Sequence, residues 1–165
     1  MRRVFTFVVA ACLVAAAGCS DEIDQGSGSA DPARLRLPQQ IAGLRVVRED
    51  IKTSLKGIDR PYVDTVAVFS LREDELLRAS LQVSRFNAAA RPEDRKFTDS
   101  IVATIGGSSP EKFRVSDKDV FATAASDQVV FTWFDGDGMF ILAVQQDFEF
   151  PRTLLRRVLS SELKA

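Results

Sequence analysis

The eight residues Leu77-Arg78-Ala79-Ser80-Leu81-Gln82-Val83-Ser84 alternate strictly between apolar and polar side chains. A period of two places Leu77, Ala79, Leu81 and Val83 on one side of a pleated strand, so the run predicts a half-buried strand. Immediately upstream, Tyr62 to Leu71 reads as another strand, with Val66 and Val68 on one face and Ala67 and Phe69 on the other. Arg72-Glu73-Asp74-Glu75 supplies a charged turn between them, and the two runs predict a hairpin or two adjacent antiparallel strands.

Outward from this hairpin the pattern changes twice. Pro92-Glu93-Asp94 opens a helix, with proline and acids expected in its first turn. Phe97, Ile101, Val102 and Ile105 recur at helical spacing, and Gly106-Gly107 ends the element. Strands are predicted at Asp119 to Ala122, Val129 to Phe134 and Met139 to Gln145, with Asp135-Gly136-Asp137-Gly138 as a tight hairpin or a short bulged loop. Pro151 opens a closing helix whose apolar stripe is Leu154, Leu155, Val158, Leu159 and Leu163. Leu44 to Arg48 is a further short strand, followed by turn signals at Gly57, Asp59 and Pro61. The expected fold is α+β, an antiparallel sheet of five to six strands packed against two main helices. The strand–helix–strand–helix order suggests a duplication, but the two halves share too little residue pattern to establish one.

The aromatic residues pose an accounting problem. Phe121, Phe131, Trp133, Phe134, Phe140, Phe148 and Phe150 fall within thirty residues. Val129 to Phe134 and Met139 to Gln145 are apolar on both faces and belong near the sheet centre, covered by helices on one or both sides. Either residues 41–61 cover a second face, or an aromatic patch stays exposed as a partner surface or ligand groove.

The N-terminus carries a separate message. Arg2 and Arg3 precede an apolar run from Val4 to Ala17, broken by Thr6, which ends in Ala16-Ala17-Gly18-Cys19. A basic start, a short apolar core and small residues at the end mark an export leader, and the run is short for a membrane span. The small residues before Cys19 resemble the bacterial lipoprotein processing box, although alanine stands at Ala16 where such boxes prefer leucine. The resemblance implies cleavage between Gly18 and Cys19 and a diacylglyceryl (palmitate-type) anchor on the Cys19 thiol. The expected organisation is residues 1–18 as leader, 19–36 as lipidated N-terminus and flexible tether, and 37–165 as one α+β domain. The tether's composition of Ser, Asp, Gln, Gly and Pro cannot repay ordering.

Composition closes several functional classes. The 165 residues contain no histidine and two cysteines, of which Cys12 leaves with the leader. Imidazole catalysis, histidine metal sites and four-thiolate clusters are therefore excluded, and no disulfide framework is available. Loss of Arg2 and Arg3 leaves 20 basic against 23 acidic side chains, a balance unsuited to nucleic acid. No cofactor or metal is expected.

Chemical motifs are sparse. Ser109-Pro110-Glu111-Lys112 has the Ser-x-x-Lys spacing of penicillin-binding enzymes without their other elements. Asp135 and Asp137 sit between glycines, but apolar strand occupies the position where a calcium loop needs its glutamate. Asp117 and Asp119 are a still less specific pair. The acids Glu73, Asp74 and Glu75 belong to a turn, and Glu93, Asp94 and Asp99 are explained by a helix start, so no catalytic residue is assigned. The candidate binding surface comprises Arg85, Trp133, Phe134, Phe148, Phe150, Arg152 and Arg156. Arg85 interrupts an apolar strand end, and Arg152 and Arg156 share one helical face.

The runs Leu81-Gln82-Val83-Ser84-Arg85-Phe86, Val129 to Trp133, and Leu142-Ala143-Val144 followed by Pro151-Arg152-Thr153-Leu154-Leu155 resemble uncharacterised exported lipoproteins of high-GC Gram-positive bacteria. The likeness covers about Tyr62 to Leu163. A looser likeness is to the small α/β sandwich of the Mog1/PsbP type, which implies architecture alone. The expected function is that of a membrane-anchored extracytoplasmic lipoprotein acting as a non-catalytic binding module. Its partner would be an envelope protein or a small apolar or anionic ligand. The alternatives are an envelope-maintenance lipoprotein without a ligand, or a carboxylate-dependent cell-wall or glycan hydrolase.

Overall fold

In the computed structural model, residues 35–49, 62–106, 110–125 and 127–161 are described below. Eight antiparallel strands form one sheet: β1 (Gln40–Ile41), β2 (Leu44–Glu49), β3 (Val63–Glu73), β4 (Leu76–Phe86), β5 (Glu111–Val115), β6 (Lys118–Ala125), β7 (Gln128–Asp135) and β8 (Gly138–Gln145). Two helices complete the fold, α1 (Arg95–Gly106) between β4 and β5, and α2 (Pro151–Ser160) after β8. The strand order is β1-β2-β3-β4-β8-β7-β6-β5. Two four-stranded meanders thus meet at β4 and β8, which pair from Ala79↔Val144 to Arg85↔Gly138.

The alternation in residues 77–84 translates directly into register. Ala79, Leu81 and Val83 pair across β3 with Leu71, Phe69 and Ala67, and across β8 with Val144, Leu142 and Phe140. Cross-strand partners share a face, so these nine side chains form a continuous apolar layer. Phe131 and Trp133 of β7 extend it beside Leu142 and Phe140, and α2 packs onto it through Leu154, Leu155 and Val158. Trp133 stacks on Phe140 at 5.2 Å with the rings 7° apart. Among the described residues the core begins at Leu35, buried two residues before the expected domain start at Leu37.

The opposite face is built differently. α1 covers one end of it, where Ile101 joins Phe86, Ala90 and Met139, with Phe97, Phe134 and Ile141 packed around them. Phe97 meets Tyr62 edge-on at 5.2 Å and Phe86 at 5.6 Å. Elsewhere this face presents short side chains, among them Ser70 and Ser84 on β3 and β4 and Thr132 on β7, all buried.

Several expectations need correction. The sheet has eight strands where five to six were expected; the two-residue β1 and the edge strand β5 were not predicted. Each face carries one helix, and the aromatic side chains divide between the two layers. No aromatic patch is left open by the described residues, where Leu76 and Phe150 are the exposed large hydrophobics. α1 starts at Arg95, later than Pro92, with no acid in its first turn; Asp94 instead accepts a hydrogen bond from the Lys96 N–H at 2.8 Å and caps the helix. The Asp135–Gly138 connection, by contrast, is the tight hairpin expected, with Gly136 at φ +58° in a region that favours glycine. Leu163, Gly107 and residues 50–61 lie outside the described residues.

The central layer sets the expected mutational response. Leu142→Ala removes a fully buried side chain from β8 and should cost about 2–5 kcal/mol. Leu76→Ser, at the exposed first position of β4, should change stability by less than about 0.5 kcal/mol. Urea unfolding of the two variants measures both.

Candidate functional site

A groove of about 350 Å³ opens between the start of α1 and the β5–β7 part of the sheet. Its helix wall carries Pro92, Glu93, Arg95, Thr98 and Asp99; its sheet wall carries Lys112, Asp119, Phe121 and Phe134. The walls meet because α1 returns from the sheet centre across β6 before the chain turns into β5. Phe121 and Phe134 lie on adjacent strands facing α1, and their rings meet edge-on at 6.4 Å. Phe134 also stacks against Phe86 at 6.2 Å, which ties the groove floor to the α1 cluster.

Charges alternate around the aromatic floor. Lys112 Nζ is 2.8 Å from Asp119 Oδ2 and 5.3 Å from the centroid of Phe121. Lys112 pairs with Phe121 across β5 and β6, which places the lysine stem beside the ring. On the helix wall Arg95 and Asp99 form an i,i+4 pair at 3.7 Å. The Lys112 hydrogen bond is the main influence holding the Asp119 carboxyl below its ordinary range; Arg114 and Arg95 add to it, and partial desolvation opposes it. Asp119 is therefore a firmly ionised anion, the reverse of the raised carboxyl that a general acid needs. No group of three or more metal-ligating side chains occurs among the described residues.

The residues singled out from sequence are dispersed. Trp133 lies in the core under α2, 1% exposed, so it cannot form a contact surface. Phe148 is half-buried against the same layer. Phe134 reaches the groove. Phe150 is 58% exposed at the start of α2. Arg85 is half-buried and pairs with Asp137 at 3.3 Å. Arg152 places one nitrogen 2.8 and 2.9 Å from the two Glu111 oxygens and its guanidinium 4.8 Å above Phe113, clamping α2 to edge strand β5. Arg156 is exposed and makes no ion pair with a described residue. These residues therefore do not form one surface. Gly18 and Cys19 lie outside the described residues.

The other motifs also resolve. Asp135 is held by Lys118 at 2.8 Å and Asp137 by Arg85, so each acid of the hairpin faces its own cation. Glu73 and Glu75 pair with Arg78 and Arg45 at the surface. Lys112 of the Ser-x-x-Lys spacing is the groove lysine; Ser109 lies outside the described residues. Sequence reasoning missed the groove because it missed β5. The alternation of Glu111, Phe113 and Val115 with Lys112 and Arg114 was the available signal, short but of the same period as β4.

Comparison with protein-family models, with curated proteins and with solved structures finds no match to the chain.

The Lys112–Asp119 pair has a direct pH signature. A depressed folded-state pKa stabilises the fold above the unfolded aspartate value, and that contribution is lost as pH falls through the lower folded value. Carboxyl NMR titration should place the Asp119 midpoint below that of an ordinary aspartate. Lys112→Met should move it upward, and salt should weaken the wild-type shift because both groups are exposed.

Proposed function

We propose that the chain is a membrane-anchored extracytoplasmic lipoprotein whose folded domain is a non-catalytic binding module, with the α1/β5–β7 groove as its ligand seat. The observation that carries the binding reading is the groove itself, a concave site with two aromatic rings on its floor and paired charges on both walls. Five charged side chains and the Thr98 hydroxyl surround the two rings, so a ligand seated there would be recognised mainly by polar and ionic contacts. The anchor reading rests on Arg2 and Arg3, the apolar run to Ala17, and the small residues before Cys19. Two acyl chains on one thiol give stable anchoring without an amphipathic helix. The likeness to exported lipoproteins of high-GC Gram-positive bacteria, and the looser one to the Mog1/PsbP-type sandwich, belong to the same proposal.

The absence of an exposed aromatic patch among the described residues favours a second reading, an envelope-maintenance lipoprotein whose role is set by position alone. A photo-crosslinking residue separates the two. Placed at Thr98 on the groove wall, it should yield a discrete adduct in cells, whereas the same residue at exposed Ser160 should not. Adducts from neither position would support the ligand-free reading. For the anchor, Cys19→Ser should release the chain from the membrane fraction and abolish fatty-acid labelling, with the folded domain's circular dichroism unchanged. Membrane release of the wild type, or no lipid label on it, would overturn the anchor.

A further inference from the structure

We infer that the groove binds an alkylammonium group, and that Lys112 occupies the seat of that group in the free protein. The inference rests on the groove being a ligand site and names the chemistry of its ligand. What the seat accepts is visible in its present occupant. The Lys112 ammonium lies 5.3 Å from the Phe121 ring centroid, inside the distance at which a cation is attracted by a ring face. It also lies 2.8 Å from a carboxylate oxygen of Asp119, a charge-assisted hydrogen bond. A ring face and a carboxylate converging on one point are the two elements that recognise an ammonium.

The nearby cations do not fill the same role. Arg95 is directed to Asp99 at 3.7 Å, and Arg114 donates to the Asp117 carbonyl oxygen at 3.5 Å. Among the cations lining the groove, Lys112 is the one that combines a carboxylate with a ring; on the opposite face of β5 Arg152 does so with Glu111 and Phe113, where α2 closes over it. Its occupation is also reversible. The lysine side chain is 43% exposed and Asp119 55% exposed, on a flexible four-carbon stem that can swing into solvent. With Lys112 withdrawn, Asp119 and Phe121 face the open groove; on the opposite wall Asp99 is paired with Arg95, and Glu93 adds negative charge. An incoming ammonium restores the same two contacts and can place its alkyl chain along Phe134. Lys112 then acts as an internal competitor that sets a threshold for binding.

The source of the ammonium is a free amine or a lysine side chain of a protein, and two probes separate them. The isotopically labelled full chain is titrated with n-butylammonium and with end-blocked Gly-Lys-Gly, following amide shifts. In Lys112→Ala, n-butylammonium should shift Asp119, Phe121 and Phe134 and bind about tenfold tighter than to wild type, the loss of one cation–ring contact and one charged hydrogen bond from the competitor. Adding Asp119→Asn should cancel that gain. Equal binding of the two probes assigns the site to free amines; tighter binding of the tripeptide assigns it to a lysine side chain. No gain in Lys112→Ala, or a gain indifferent to Asp119→Asn, overturns the inference. If acetate or phosphate shifts the groove residues while n-butylammonium does not, the ammonium is wrong and the groove stands as a site. If none of these probes shifts them, both readings fall.

Discussion

The antiparallel pairing of β4 with β8 is the contact on which the rest of the molecule depends. It is the one seam between two meanders that are otherwise local in sequence, and it joins residues about sixty positions apart, Leu81 opposite Leu142 and Val83 opposite Phe140. Without it, each half is a twisted four-stranded ribbon with one apolar face and no means of covering it. With it, α2 finds a single continuous layer on which to seat Leu154, Leu155 and Val158. Closing so long a loop is entropically costly, and the return comes from fully burying these large side chains together.

A twofold axis normal to the sheet, running between β4 and β8, would exchange the two meanders strand for strand: β3 with β7, β2 with β6, β1 with β5. The same axis would put both helices on one face. They lie on opposite faces, α1 against Met139 and Ile141, α2 against Phe140, Leu142 and Val144. The correspondence therefore covers the strands and stops at the helices. Composition explains why the two faces can differ. The α2 face is filled with Trp133, Phe131 and Leu side chains; the α1 face carries Ser70, Ser84 and Thr132, shorter side chains that are buried as well. α1 is accordingly concentrated on the aromatic end, and the groove lies beside it.

This division also decides what could be read from the sequence. β4 was legible because an eight-residue alternation has few competing readings, and α2 because its stripe follows a proline start. The aromatic surplus at Val129 to Phe134 was legible as a quantity and not as a location. A strand that is apolar on both sides says that both sides are covered, but not by what. Trp133 and Phe134 are neighbours in sequence, and the pleat alone sends one under α2 and the other toward α1. β5 was missed because five residues with three charges resemble a surface loop until β6 is set beside them. β1, only two residues long, has no periodic signal at all.

The groove was illegible for a further reason. Its residues come from α1 and its approach, β5, β6 and β7, and each has an ordinary local explanation. In sequence Glu93 and Asp99 read as acids of a helix start that the structure places at Arg95, Asp119 suits a strand end, and Lys112 on an exposed edge strand protects against unwanted pairing. Exposed ion pairs contribute little to stability, so the Lys112–Asp119 contact is weakly defended by the fold. Phe121 is different: it is buried, with the Phe134 ring edge-on to it and the Lys112 ammonium also lying against its ring. Covering an aromatic ring with a movable charge is a poor way to maximise stability, since a leucine there would bury more apolar surface without an ammonium to keep solvated. A ring covered by something able to leave is what a site needs when its ligand must compete for access.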